Sequence, residues 1–301
     1  MELVQHVYSV LAISTREKFY TSLRGLLPED RYSSLCWESD VTSARRLLLE
    51  RTFDIVVIST PLPDEFGTKL AMHVVDSSSA GVLLLVGAEH AAGHLDDTFT
   101  MTVDITDYCY VNKCSVVGLM VGETVPVREL LYGTILPSGA DAALGLAVYV
   151  SGSQEAFVEL MNQKLEELGV SGTAHFTNCV GLYDENHYCT VTDMALILRA
   201  AMENDLCREV LNARKYETAP TEYHPDGQVL SNWFLRRIED RFPGDFQIIG
   251  AKTGYVVQAG SCAVSCGQGA DGKRYFCATG DASSAWRAIY DHTNLYQTYC
   301  S

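Results

Sequence analysis

No serine in this 301-residue chain stands three places before a lysine. The lysines are Lys18, Lys69, Lys113, Lys164, Lys215, Lys252 and Lys273, and the residues three before them are Thr15, Phe66, Tyr110, Met161, Asn212, Ile249 and Ala270. A Ser-x-x-Lys pair sets a hydroxyl and an amine one helical turn apart on one face, so that form of activated serine is excluded. No C-x-x-C occurs either, which removes the dithiol redox motif and the paired ligands of most structural zinc sites. Cys262 and Cys266 are four apart, without a His or Cys partner at zinc spacing, and no metal or cofactor is expected. No apolar run reaches the roughly 18 residues of a membrane span. Positive charge is scarce: 22 Lys and Arg stand against 38 Asp and Glu, a formal net charge of -16. That balance argues against nucleic acid or an anionic membrane surface as an unaided partner. Met1 to Val10 has no basic leader region, and Arg16, Glu17 and Lys18 break the apolar stretch that follows, so a cytoplasmic location is expected.

What is present is the composition of a globular protein, 47% hydrophobic and 20% charged, long enough for two domains. Ten cysteines, nine of them after residue 90, are expected as small core side chains kept reduced. The chain divides into two halves with different patterns, 1–90 and 91–301. Residues 3–86 alternate strand and helix signals. Val7–Ile13 reads as a buried strand, Arg16–Leu27 as a helix, Ser34–Trp37 as a short strand and Thr42–Glu50 as a helix. Phe53–Ile58 reads as a strand, 61–67 as a loop, Thr68–Asp76 as a helix and Gly81–Val86 as a further strand. This order predicts an α/β, doubly wound parallel sheet.

The half resembles a response-regulator receiver domain of the antiterminator (ANTAR) class, through the strand 53–58 and the following Pro-Leu-Pro-Asp-Glu-Phe-Gly. The resemblance puts the phosphoacceptor carboxylate at Ser59 and the magnesium-binding acidic pair near Ser14 and Thr15. None of these is a carboxylate, so neither acyl phosphate nor magnesium site is expected. Asp54 begins its strand, at the wrong end, and reads as a turn or capping residue. The later receiver elements have no counterpart, so an incomplete receiver is expected.

From about His94 the pattern changes. Asp96–Val103 alternates as a surface strand, Val127–Gly133 reads as a short helix, and Asp141–Tyr149 as an alanine-rich buried helix. Gln154–Leu168 is amphipathic, and Thr190-Val191-Thr192-Asp193 has capping-box spacing. Cys262–Cys266 and Arg274–Thr279, joined by Gly269–Gly272, read as an antiparallel hairpin, and Ser284–Tyr296 as a final helix. Helices first and an antiparallel sheet last predict an α+β domain.

Residues 95–299 resemble a D-alanyl-D-alanine carboxypeptidase, a low-molecular-mass penicillin-binding protein with a β-lactamase-like fold. The resemblance rests on Leu136-Pro137-Ser138-Gly139-Ala140-Asp141, Phe157–Asn162, His175-Phe176-Thr177-Asn178, Thr192-Asp193-Met194-Ala195 and Lys252-Thr253-Gly254, in that order. It implies that Ser138 relays a proton to the leaving amine and that Lys252 lowers the pKa of that network while facing the substrate carboxylate. It implies further that Thr253 hydrogen-bonds the carboxylate, Gly254 lets the substrate approach, and the Tyr255 N–H donates to the oxyanion. Ala140 stands where the family's asparagine would orient substrate. The implied partner is a peptidoglycan stem peptide or a β-lactam. The family's first strands and its central Ser-x-x-Lys helix should precede Leu95, where receiver-like sequence stands, so this half too is expected to be incomplete.

Three functions follow as expectations: a carboxypeptidase-like protein unable to acylate, a regulatory protein built on an unphosphorylatable receiver, or a non-functional fusion broken near Gly87 to Leu95. Deletion at that junction would leave the apolar 81–86 strand as an exposed sheet edge. His175 and His187 are expected in structural roles, Asp193 as a helix cap.

Overall fold

The computed structural model describes residues 8–27, 32–50, 55–59, 79–238 and 246–300. The chain divides into two compact units, residues 1–73 and 74–301.

In the first unit, strands β1 (Tyr8–Ser14), β2 (Tyr32–Glu38) and β3 (Ile55–Ser59) form a parallel sheet in the order β2-β1-β3. Helix α1 (Glu17–Leu26) follows β1, and α2 (Val41–Glu50) follows β2. Val10, Leu11, Ala12 and Ile13 are all buried, as a central strand covered on both faces requires. Register pairs Ser14 with Ser59 at the carboxyl end of the sheet. Ser14 is committed locally: its hydroxyl accepts from the Arg16 N–H at 3.1 Å and its carbonyl from the Trp37 indole at 2.8 Å. A small parallel sheet is what this unit shows. The expected loop 61–67, the helix 68–76 and Asp54 lie outside the described residues.

Residues 81–86 are not a strand. They lie in helix α3 (Ser79–Ala91), which belongs to the second unit. Val82 through Ala88 are all buried, so the run is apolar on every side and carries no period that separates a strand from a buried helix. This corrects two further expectations. The second unit does have a central helix, and residues 81–86 are no exposed sheet edge. Around α3 pack α5 (Val127–Ile135), α6 (Ala140–Ser151), α7 (Gln154–Glu167), α8 (Val191–Glu203) and α9 (Asp205–Asn212). The division after residue 73 leaves α3 with the later half, where the sequence pattern had set the boundary at 90.

The alternation at 96–103 contracts to β4 (Thr98–Thr100), paired with β5 (Thr124–Pro126), and α4 (Val103–Val111) begins where the strand was expected to end. A hairpin of β6 (Lys215–Glu217) and β7 (Val229–Ser231) precedes the short α10 (Leu235–Ile238). The antiparallel sheet then forms from β8 (Gln247–Val256), β9 (Gly260–Gln268) and β10 (Arg274–Ala282), in the order β10-β9-β8, and α11 (Ala285–Tyr299) follows. Successive residues of β9 point to opposite faces. Cys262, Val264 and Cys266 join the helical core, whereas Ala263 packs with Ala288, Ile289 and Tyr296 of α11. Both faces are covered, which is why Ser261 through Gly267 are buried without a break.

At Gly87 the side chains of α6 press against α3: a Cβ there would lie 2.6 Å from Leu146 Cδ2. Gly87→Val should lower unfolding stability by about 1–3 kcal/mol through overpacking, read as a lower urea midpoint at unchanged slope. An unchanged midpoint would contradict the packing described.

Candidate active site

The turn between α5 and α6 sets the first component. Pro137 lacks the N–H that a continuing helix would use. Ser138 then takes a left-handed φ of 60°, sparsely populated for a residue with a Cβ. The Gly139 N–H closes the turn on Gly133 O at 2.9 Å. Neither glycine can carry a side chain: a Cβ at Gly139 would meet Val117 Cγ2 at 2.5 Å, and one at Gly133 would meet Ala142 Cβ at 2.8 Å. Gly139 is the N-cap of α6 and no side chain caps it. Ser138 is therefore not a capping serine, and its hydroxyl points elsewhere.

Asp141, in the first turn of α6, is buried and holds the neighbouring loop. Its carboxylate accepts from the N–H groups of Val117, Gly118 and Leu119 at 2.8, 2.9 and 3.1 Å, and from Ala142 at 2.9 Å. Ala140 donates its own N–H to Ser115 O at 2.8 Å. A second buried carboxylate, Glu123, accepts from the Met120 N–H, the Thr221 hydroxyl and His224 Nδ1 at 2.8, 2.6 and 2.8 Å. Burial alone would raise Glu123, but these donors together hold its carboxyl below the usual range. Glu123 thus fixes the 218–228 loop against the loop that Asp141 holds.

Lys252 comes from β8, one of the two edge strands of its sheet among the described strands. Its side chain is buried, with 6% exposure, and Nζ donates to Ser138 Oγ and to Thr253 O. Burial lowers its pKa from 10.5 to about 8, so near neutral pH the amine can give up or take a proton at small cost. Asn232, buried, fixes the strand next to it: Nδ2 donates to Ala251 O at 3.0 Å, while Oδ1 accepts from the Phe234 and Leu235 N–H groups.

Of the residues expected at the site, Ser138 and Lys252 meet directly, although 114 positions separate them. Ala140 heads α6 with its backbone tied to Ser115. Thr253, Gly254 and Tyr255 continue β8, the first two half-buried and Tyr255 exposed at 68%. His187 is buried among Phe176, Thr177 and Asn178, and burial pushes it down to about 4. His175 bridges to Tyr188, and Asp193 closes a capping box with Thr190. The anchoring roles of Asp141, which the sequence shows only as a motif residue and helix start, and of Glu123 and Asn232 are not legible in the sequence. Each acts on backbone far away in the chain or in loops without a pattern, so spacing gives no signal for them.

Residues 82–277 match the family described as D-alanyl-D-alanine carboxypeptidase. Over 177 residues the chain is 34% identical to the D-alanyl-D-alanine carboxypeptidase of Streptomyces sp. strain K15, covering 57% of this chain and 60% of that protein. Against DacF of Bacillus subtilis identity is 33% over 143 residues, 47% of this chain and 34% of DacF. The chain thus spans between about a third and three fifths of the length of these curated relatives. The solved Streptomyces K15 DD-transpeptidase superposes with a TM-score of 0.66 at 27% identity, over 75% of this chain and 87% of that one. A Mycobacterium tuberculosis D-alanyl-D-alanine carboxypeptidase gives 0.61 at 27%, over 74% and 82%. The match begins inside α3, in agreement with its place in the second unit.

Because the folded pKa of Lys252 lies below its unfolded value, the unfolded chain binds more protons between about pH 8 and 10.5. Stability conferred by this residue is therefore lowest below pH 8 and rises across that window. The difference in unfolding free energy, wild type minus Lys252→Met, should rise by roughly 3 kcal/mol from pH 8 to pH 10.5. Paired urea titrations measure it, and a flat difference would contradict a desolvated amine.

Proposed function

The chain belongs to the D-alanyl-D-alanine carboxypeptidase family, and we propose that its second unit holds the carboxyl-terminal end of a peptide along β8 without forming an acyl-enzyme. The contact of Lys252 Nζ with Ser138 Oγ carries this reading. It supplies a proton-handling pair and a cation for a terminal carboxylate, beside a strand edge with backbone groups for an extended peptide. Thr253, Gly254 and Tyr255 continue that edge as the peptide-contacting residues. Cleavage asks for more: a nucleophilic hydroxyl, a base that takes its proton, and donors for the oxyanion. The chain has no Ser-x-x-Lys, and α3, the central helix, reads Ser-Ala-Gly-Val-Leu-Leu-Leu-Val-Gly-Ala-Glu-His-Ala, with no lysine. Losing such a pair costs about 10⁴- to 10⁶-fold in rate. The ligand class is a peptidoglycan stem peptide ending in D-alanyl-D-alanine, or a β-lactam that mimics it, held without covalent attachment.

For the first unit the reading is an unphosphorylatable receiver-like module, supported by the parallel sheet and by Ser14 and Ser59 side by side at its carboxyl end. A hydroxyl there cannot form the mixed anhydride that a carboxylate forms with phosphate.

Three measurements test these readings. Incubation with a labelled penicillin should leave the intact mass unchanged, whereas an acyl-D-alanyl-D-alanine peptide should perturb the wild type and not Lys252→Met in a binding titration. A stoichiometric mass increase would sink the non-acylating reading. Acetyl phosphate with magnesium should give no phosphoprotein, and a phosphoryl group recovered on residues 8–59 would overturn the second reading.

A further inference from the structure

Helix α4 ends in a turn that brings two cysteines together. Lys113 adopts a left-handed φ of 54°. Its N–H donates to Tyr110 O at 3.2 Å, and the Cys114 N–H reaches back to Cys109 O at 2.9 Å. These two bonds form a Schellman closure, which sets the side chain of the third residue from the helix end against that of the second residue beyond its cap. Here those residues are Cys109 and Cys114. The contact that is usually apolar is made by two thiols.

Their surroundings differ in a useful way. Cys109 is buried and Cys114 half-exposed. Both line a pocket of about 420 Å³ with Thr106, Tyr110, Lys113 and Asp141. A hydrogen bond from Cys109 lowers the Cys114 thiol against the opposing effects of burial and the Asp141 charge. The same bond, followed by burial, raises Cys109. Cys114, the half-exposed thiol at the pocket wall, is thus the one a reagent reaches first, and the buried Cys109 stands behind it as a resolving thiol. A competing thiol, Cys179, is buried against Gln154 Oε1 at 3.5 Å, and burial pushes it up to about 12.

We infer that Cys109 and Cys114 form a dithiol modification site that takes small-molecule disulfides and closes to an intramolecular disulfide. The Cys114 thiolate attacks one sulfur of the reagent and expels the other half as a thiolate. Cys109, losing its proton to water, then attacks the Cys114 sulfur of the mixed disulfide and expels the remaining half. The protein gives up two electrons and two protons, and the reagent disulfide leaves as two reduced thiols. The bridge fixes a turn that backbone hydrogen bonds already close, so it forms with little rearrangement. It also braces the base of the 115–119 segment, which is tied to Ala140 and Asp141. The site is independent of the peptide-binding reading.

Trypsin makes the test direct, because cleavage after Lys113 separates the two cysteines into peptides 70–113 and 114–128, each with a single cysteine. The folded full-length chain is exposed to oxidised glutathione, quenched at low pH and digested without reduction. The expected product is the 70–113/114–128 linked pair, from protein lighter by two hydrogens and free of retained glutathione. Iodoacetamide should alkylate Cys114 about tenfold faster than Cys179. Cys109→Ser should retain glutathione on Cys114, and Cys179→Ser should leave the link unchanged. In the denatured chain the link should lose its preference over other pairings. A Cys114–Cys179 link, glutathione retained on Cys114 of the wild type, or an unreactive Cys114 would each overturn the inference. The wild-type digest decides the matter even if a variant fails to fold.

Discussion

The Asp141 carboxylate sits buried at the head of α6, with four backbone N–H groups directed at it. A carboxylate withdrawn from water costs several kcal/mol unless its lone pairs are satisfied, and three of the four donors come from one loop some two dozen residues upstream. The side chain therefore does two jobs. It stabilises the first turn of α6, where a negative charge meets the helix dipole, and it gives an otherwise irregular loop a fixed position. Ser138 lies three residues before it, in a strained turn held by Gly133 and Gly139. The α4 turn with Cys109 and Cys114 leads directly into the loop it anchors. Both the serine end of the candidate site and the dithiol thus refer to one buried charge.

Lys252 approaches from the other side, on a strand whose place is set by β9 and by Asn232. Its amine is desolvated and its hydrogen bonds go to a hydroxyl and a carbonyl, which compensate burial only partly. That incomplete compensation is what lowers its pKa. An amine in that state is poorly suited to a purely structural task and well suited to handling a proton or an anion. The fold is that of the D-alanyl-D-alanine carboxypeptidases over three quarters of the chain. At the centre of the second unit α3 is mostly small and aliphatic, with Glu89 and His90 near its end and no lysine.

Legibility in the sequence followed the range of the interaction. The capping box at Thr190, the β9–β10 hairpin and the α7 amphipathic face are local, set by residues close together in the chain, and each is legible in the sequence. Residues 81–86 were read as a strand because an unbroken apolar run offers no periodicity, and only its packing among five helices selects the helical form. The β4 alternation was cut short for a related reason: pairing with β5 supports three residues, and beyond them the chain turns into α4. The strand grammar of residues 8–59 did yield a parallel sheet, with Ser14 beside Ser59.

By itself the sequence determined the motif order that marks the family, the type of most helices and strands that carry a period, and the lack of any Ser-x-x-Lys. Tertiary structure decided the rest: the place of α3, the meeting of Ser138 with Lys252 across 114 positions, the anchoring of the 117–119 loop on Asp141, and the lowered pKa of a buried lysine. Covalent type and local spacing are properties of a string. Burial and long-range hydrogen bonding arise only when distant segments exclude water from one another.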